Sequence, residues 1–124
     1  MTQLLSIALG GSLGAVMRYL VSNGVHTLLG KGFPYGTLVV NILGSLVMGL
    51  LYELFLQRMS VSPEIRGVLL VGFLGAFTTF STFSIETINL IEQGDLTKAI
   101  LNMLLSVILC IFAAWSGLLI ARQL

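Results

Sequence analysis

The stretch 72–86, Gly72-Phe73-Leu74-Gly75-Ala76-Phe77-Thr78-Thr79-Phe80-Ser81-Thr82-Phe83-Ser84-Ile85-Glu86, decides how the rest of the chain is read. It sits inside an apolar run from Ile65 to about Ile91. Its centre, Gly75 to Ser81, is built of glycine, hydroxyl and aromatic residues with poor helix propensity. Ser62-Pro63 just upstream is a good helix start, with serine as N-cap and proline as the first helical residue. A helix begun there carries the weak block to mid-membrane depth. Broken backbone at that depth is tolerated only against protein or a wet cavity. The stretch therefore predicts a transmembrane helix interrupted at its centre.

Composition agrees that the solvent is a bilayer. Of 124 residues, 56% are apolar and 9% charged, and the mean hydropathy is +1.03. An ordinary soluble domain carries about 25% charged residues. These proportions argue against a small water-soluble enzyme, a disordered chain and a nucleic-acid-binding protein. A span needs roughly 20 apolar residues, so the length holds few spans and little wall for a transport pathway, which points to an oligomer. The net charge of +1 selects no acidic partner. The single cysteine, Cys110, allows no intrachain disulfide. There is no HExxH, CxxC or GxSxG, and Gly72-x-x-Gly75 is not a phosphate loop. Asn23, His26 and Cys110 make no plausible metal set. The chain is not read as an enzyme.

Working outward from the central stretch, three more apolar runs appear. The first covers about Leu4 to Leu29, interrupted by Arg18, Ser22, Asn23 and His26. It lacks a basic n-region and a clear cleavage site, so the signal-peptide reading is weak. Gly30 to Gly36 makes a tight turn. The second run is Thr37 to Leu56, with Asn41 as its one strongly polar residue. The fourth is Ala99 to about Ile120, with Asp95 or Thr97 as cap. The expectation is one all-α membrane domain, residues 1–124, of four transmembrane helices with the third broken.

Four spans put both termini on one side. Arg58, Arg66 and Arg122 then fall on one side and Lys31, Lys98 and Arg18 on the other. The positive-inside rule needs a bias, and three against three gives none. Either weak signals are corrected by a partner or the lipid, or the chain inserts both ways, with an antiparallel homodimer as the natural oligomer. Pairs such as Gly10 and Gly14, Ser45 and Gly49, and Ala113 and Gly117 are four apart and suit close helix packing.

Polar groups in lipid usually face a bundle interior or a water path. Arg18 either snorkels to the interface or supplies a fixed positive charge at a vestibule. Asn41 either bonds to a neighbouring helix or donates its amide to a passing anion. At Thr78 and Thr79, an unwound helix frees carbonyls that converge well on a cation such as Na⁺. The alternative is a kink whose hydroxyls satisfy the backbone. Phe80 and Phe83 share a helical face, either as packing or lipid contact or as electropositive ring edges for a small anion. Asn102, Ser106 and Cys110 share one stripe of the fourth helix, either as a hydrogen-bonding track or as the isolated small polar residues common in membrane helices. Glu86 can ligate a proton or cation, pair with a basic group near a pore mouth, or simply approach the interface.

Three blocks together resemble the Fluc (CrcB) family of fluoride channels. They are Gly10-Gly11-Ser12-Leu13-Gly14-Ala15-Val16-Met17-Arg18-Tyr19, then Pro34-Tyr35-Gly36-Thr37-Leu38-x-x-Asn41-x-x-Gly44-Ser45, then the stretch quoted at the outset. The third is highly specific. The resemblance implies an antiparallel homodimer with two fluoride pores and a central Na⁺ held by backbone carbonyls, here those of Gly75 and Thr78 from each subunit. It implies that Phe80 and Phe83 are the aromatic box and Asn41 the pore asparagine. Ser81 and Thr82 match pore-adjacent hydroxyls, Arg18 a vestibule arginine, and Glu86 an acidic residue near a pore end. Asn102, Ser106 and Cys110 match the polar track, although the family carries more hydroxyls there, one of them aromatic. The implied role is to let fluoride that entered as HF leak back out of the cell.

The residues supply a chemistry for that role. Fluoride is small and strongly hydrated, so a pore that strips its water must return donors: the Asn41 amide, hydroxyls and polarised ring edges. The ion's electrochemical gradient is the driving force, and no ATP site is seen. No nucleic acid and no obligatory protein partner are expected beyond a second copy and the bilayer. A helical bundle suits a bacterial inner membrane rather than an outer-membrane barrel. A small dual-topology multidrug exporter is the main rival, but it needs a carboxylate in the first helix, and that helix has none. A purely structural membrane protein is the other, and it predicts that Asn41, Phe80 and Phe83 tolerate substitution.

Overall fold

A computed structural model describes all residues, Met1–Leu124. It is all-helical, with four helices long and apolar enough to cross a membrane: Thr2–Leu29, Tyr35–Arg58, Pro63–Glu92 and Leu96–Arg122. The protein is a multi-pass membrane protein. The first span is one helix, α1 (Thr2–Leu29), which Gly30 ends at φ 85°, a backbone angle that glycine adopts without strain. The second is α2 (Tyr35–Glu53), running on into a π-helical turn, Leu54–Arg58.

The third span is assembled from pieces. Ser62 caps α3 (Pro63–Arg66), its hydroxyl accepting from the Ile65 N–H at 3.3 Å, with Pro63 in the first turn. A π-helical stretch, Gly67–Leu74, follows, and then the short α4 (Gly75–Phe77). Thr78 and Thr79 are extended, and α5 (Phe80–Glu92) completes the span. Gly94, at φ 78°, turns the chain into α6 (Leu96–Arg122), capped by Asp95, whose carboxylate accepts from the Lys98 N–H at 3.4 Å. The expected break is present. The π-helical stretch was not anticipated, because nothing in 67–74 departs from an ordinary apolar helix run.

Two close helix contacts hold the bundle. α1 packs on Gly67–Leu74, where a Cβ on Gly10 would strike the Val68 carbonyl and one on Gly14 the Phe73 carbonyl. α2 packs along α6, where a Cβ on Gly49 would strike the Ala114 carbonyl and one on Gly117 the Leu46 carbonyl. In lipid, helices gain little by hiding apolar surface from one another, so backbone proximity at small residues is what packs them. The small-residue pairs of the sequence are thus used between spans of one chain.

Both ends of the bundle are tied. At one end Arg58 donates to the Arg122 carbonyl at 2.7 Å, and Arg122 pairs with the buried carboxylate of Glu53 at 3.2 Å. At the other, Lys98 reaches the Gly32 carbonyl at 3.0 Å and Asp95 at 3.5 Å. Arg58 and Arg122 therefore share one end and Lys98 sits at the other beside the first hairpin, as four alternating spans require.

Candidate functional site

The break in the third span is held open by a residue 38 positions away. The Asn41 side-chain amide pairs with the backbone of Thr79: Nδ2 donates to the Thr79 carbonyl at 3.0 Å, and Oδ1 accepts from the Thr79 N–H at 2.8 Å. In an unbroken helix that N–H would go to the Gly75 carbonyl. The Thr79 hydroxyl caps α5, accepting from the Thr82 N–H at 3.2 Å, which in an unbroken helix would go to the Thr78 carbonyl. The carbonyls of Gly75 and Thr78 therefore both lose their helical donors to specific side chains. The Leu74 carbonyl, by contrast, accepts from both the N–H and the hydroxyl of Thr78. Hydroxyls thus satisfy part of the broken backbone, and the carbonyls of Gly75 and Thr78 are among those left without helical donors.

Beside the break lies a groove of about 410 Å³ between α2, α5 and α6, into which Asn41, Ser45, Phe80, Phe83, Ser106 and Cys110 face. Phe80 and Phe83 stand 5.2 Å apart between ring centroids, at 50° to one another. Phe83 is 7% exposed and Phe80 is 74% exposed, so one ring is set into the chain while the other projects from it. Both were placed three apart by the sequence, and α5 sets them together because it starts at Phe80. Asn41 lies at the groove, with one amide hydrogen left after its bond to Thr79.

Ser106 and Cys110 line the groove directly. Asn102 lies behind Ser106 and is 2% exposed. The Ser106 hydroxyl donates to Asn102 Oδ1 at 3.5 Å, and Asn102 Nδ2 donates to the Thr87 hydroxyl at 2.9 Å. Thr87, which sequence reasoning missed, is buried and donates to the Phe83 carbonyl at 2.8 Å. Its spacing four after Phe83 was the available signal, but a threonine bonded back to its own helix is too common to single out.

The remaining candidates sit elsewhere. Arg18 lines a second cavity of about 370 Å³ with Ser22, Asn23, Thr37 and Thr82. Thr79 borders both this cavity and the groove, so the break separates them. Ser81 is exposed and its hydroxyl lies 3.3 Å from that of Thr79, while Thr82 accepts from Thr79 at 3.1 Å. Glu86 belongs to neither space. It lines a third cavity of about 340 Å³ near the first hairpin, with His26, Lys31 and Asn89. One of its carboxylate oxygens is buried without a hydrogen-bond partner.

A polytopic helical protein whose broken span gathers aromatic rings, amides and hydroxyls around a groove is built to carry a small solute rather than to turn one over. Residues 5–118 match the family described as CrcB-like protein, Camphor Resistance (CrcB), and the chain belongs to it. Relatives similar over nearly the whole chain bear out the assignment. A protein of Magnetococcus marinus is 56% identical over 120 residues, 97% of this chain and 98% of its own length. One of Coxiella burnetii is 58% identical over 121 residues, again 97% and 98%. One of Geobacter sulfurreducens is 50% identical over 124 residues, the full length of both chains. All three are named fluoride-specific ion channel FluC. The family is one of ion channels, not enzymes.

Proposed function

We propose that the chain is a fluoride-selective channel that lets cytoplasmic fluoride leave down its electrochemical gradient, through two pores at the interface of an antiparallel homodimer in a bacterial inner membrane. One observation carries the reading: the helix break brings Asn41, the ring pair Phe80 and Phe83, and Ser106 to one groove in a chain whose relatives are named for fluoride.

The chemistry follows from fluoride's small size and strong hydration. A site that strips its water must offer short-range donors without binding so tightly that the ion stays. The remaining Asn41 amide hydrogen is a neutral donor, and the Ser106 hydroxyl becomes one when its proton turns from Asn102 to the groove. Phe80 and Phe83 add ring edges, whose positive rim attracts an anion weakly. No full positive charge lines the groove, which favours release. Arg18 sits in the adjoining cavity, where it raises the local anion concentration without trapping the ion. Ser81 and Thr82 extend the hydroxyls around Thr79, Cys110 and Asn102 continue the track on α6, and Glu86 lies toward a pore end.

A second copy completes the wall. Phe80 projects from the single chain, and Gly75, on the other side of the break, is also exposed. The even division of basic residues supports insertion in both directions. The carbonyls of Gly75 and Thr78, among those the break frees, suit a small hard cation such as Na⁺, whose hydration shell carbonyl oxygens can replace. When bound between subunits it would supply a fixed positive charge that ties the two breaks together. Each subunit alone offers the carbonyls, and pairing two subunits doubles them.

Fluoride efflux from liposomes holding the purified protein, read with an ion-selective electrode, tests the proposal. Efflux is expected with an imposed fluoride gradient alone, without ATP and without a proton gradient. A protein that passes no fluoride, or only with one of those sources of energy, is not this channel.

A further inference from the structure

The chain of bonds behind the groove has a direction. Ser106 donates to Asn102, Asn102 donates to Thr87, and Thr87 donates to the Phe83 carbonyl. A hydroxyl has one proton and two lone pairs. With its proton turned inward, Ser106 shows the groove only lone pairs, which repel an anion. Asn102 and Thr87 are buried and lie away from the groove behind Ser106, and each bond biases the next.

We propose that Thr87 is a positioning residue of the anion pathway, setting the orientation of the Asn102 amide and thereby whether Ser106 offers the groove a proton or a lone pair. This inference rests on reading the groove as the fluoride path. When an anion arrives, the Asn102 amide turns over. Nδ2 then donates to Ser106, whose proton swings to the anion. Oδ1 then accepts from Thr87, whose proton leaves the Phe83 carbonyl. That carbonyl keeps the helical N–H of Thr87 as its partner. Three bonds precede the turn and three follow it, the last now made to the ion. Only a side chain that both accepts and donates can serve at 87. Bonding back to the i−4 carbonyl is common for a threonine in a membrane helix. The bond from Asn102 on the neighbouring helix is what gives Thr87 a role beyond its own turn.

Thr87→Val keeps the shape and removes both functions, while Thr87→Ser keeps both. In fluoride-efflux measurements Thr87→Val is expected to conduct about tenfold less than wild type, the cost of stranding one buried amide. Thr87→Ser is expected to conduct as wild type does, with both variants eluting as wild type in detergent. A Thr87→Val channel that conducts normally overturns the inference, and so does a Thr87→Ser channel as poor as Thr87→Val. Wild-type protein that passes no fluoride removes the groove reading instead. The side-chain amide resonances of Asn102 in wild-type protein give a measurement independent of any variant. They are expected to shift on adding fluoride and not on adding chloride, and their indifference to fluoride overturns the inference.

Discussion

Asn41 commits one donor and its acceptor to the backbone of Thr79. A leucine there would leave a buried N–H and a buried carbonyl without partners, at a cost of about 2–4 kcal/mol. Asn41→Leu should therefore lower the thermal unfolding temperature in detergent as well as abolish fluoride flux. A variant that unfolds like wild type would mean that the break does not depend on this amide. The aromatic pair behaves differently, because its rings complete no polar network. Phe80→Ile and Phe83→Ile should each cut fluoride flux on the order of tenfold, the scale of one lost ring-edge contact, while the dimer stays intact on size exclusion. Unchanged flux would leave the rings as packing. The sequence showed that a polar residue such as Asn41 was out of place in lipid. It could not show that Asn41 faces Thr79, since a contact between residues 38 positions apart depends on how two spans are turned, and helical periodicity does not specify that. Thr87 was missed for the same reason: its partner Asn102 is on another helix.

Among the elements, the spans and the break were legible, and the finer form of the third span was not. Apolar runs bounded by Gly30, Ser62-Pro63 and Asp95 fix where helices start and stop. The hydroxyl-rich block around Thr78 and Thr79 announces a break because it has little helix propensity to lose. The π-helical stretch Gly67–Leu74 left no such trace. Its environment is the backbone of α1, pressed close at Gly10 and Gly14, so it is a product of packing. This gives a contrast of two glycines. Gly10→Ala drives a Cβ into the Val68 carbonyl and should destabilise by about 1–3 kcal/mol, seen as a lower unfolding temperature. Gly75→Ala meets nothing closer than 3.8 Å within the chain and should leave the unfolding of a single subunit unchanged. If Gly75 lies between subunits, as proposed, the same change should shift size exclusion toward monomer. Equal stability of both variants would contradict the packing account.

At the scale of the molecule, the proposal makes a short chain with few charges one half of a symmetric dimer. On the proposed dual-topology reading, the even three-to-three division of basic residues in the sequence leaves insertion undirected. A cysteine added at the C-terminus, in a Cys110→Ser background, should therefore be labelled from both sides of the membrane in comparable amounts. One-sided labelling would remove the antiparallel dimer, and with it the means of closing the groove over Phe80.

The central claim is that neutral donors and ring edges around the helix break select fluoride. It is tested most directly by comparing fluoride and chloride efflux from the same liposomes containing the purified wild-type protein. The account predicts rapid fluoride efflux with chloride close to the protein-free background. Chloride efflux equal to that of fluoride would contradict it.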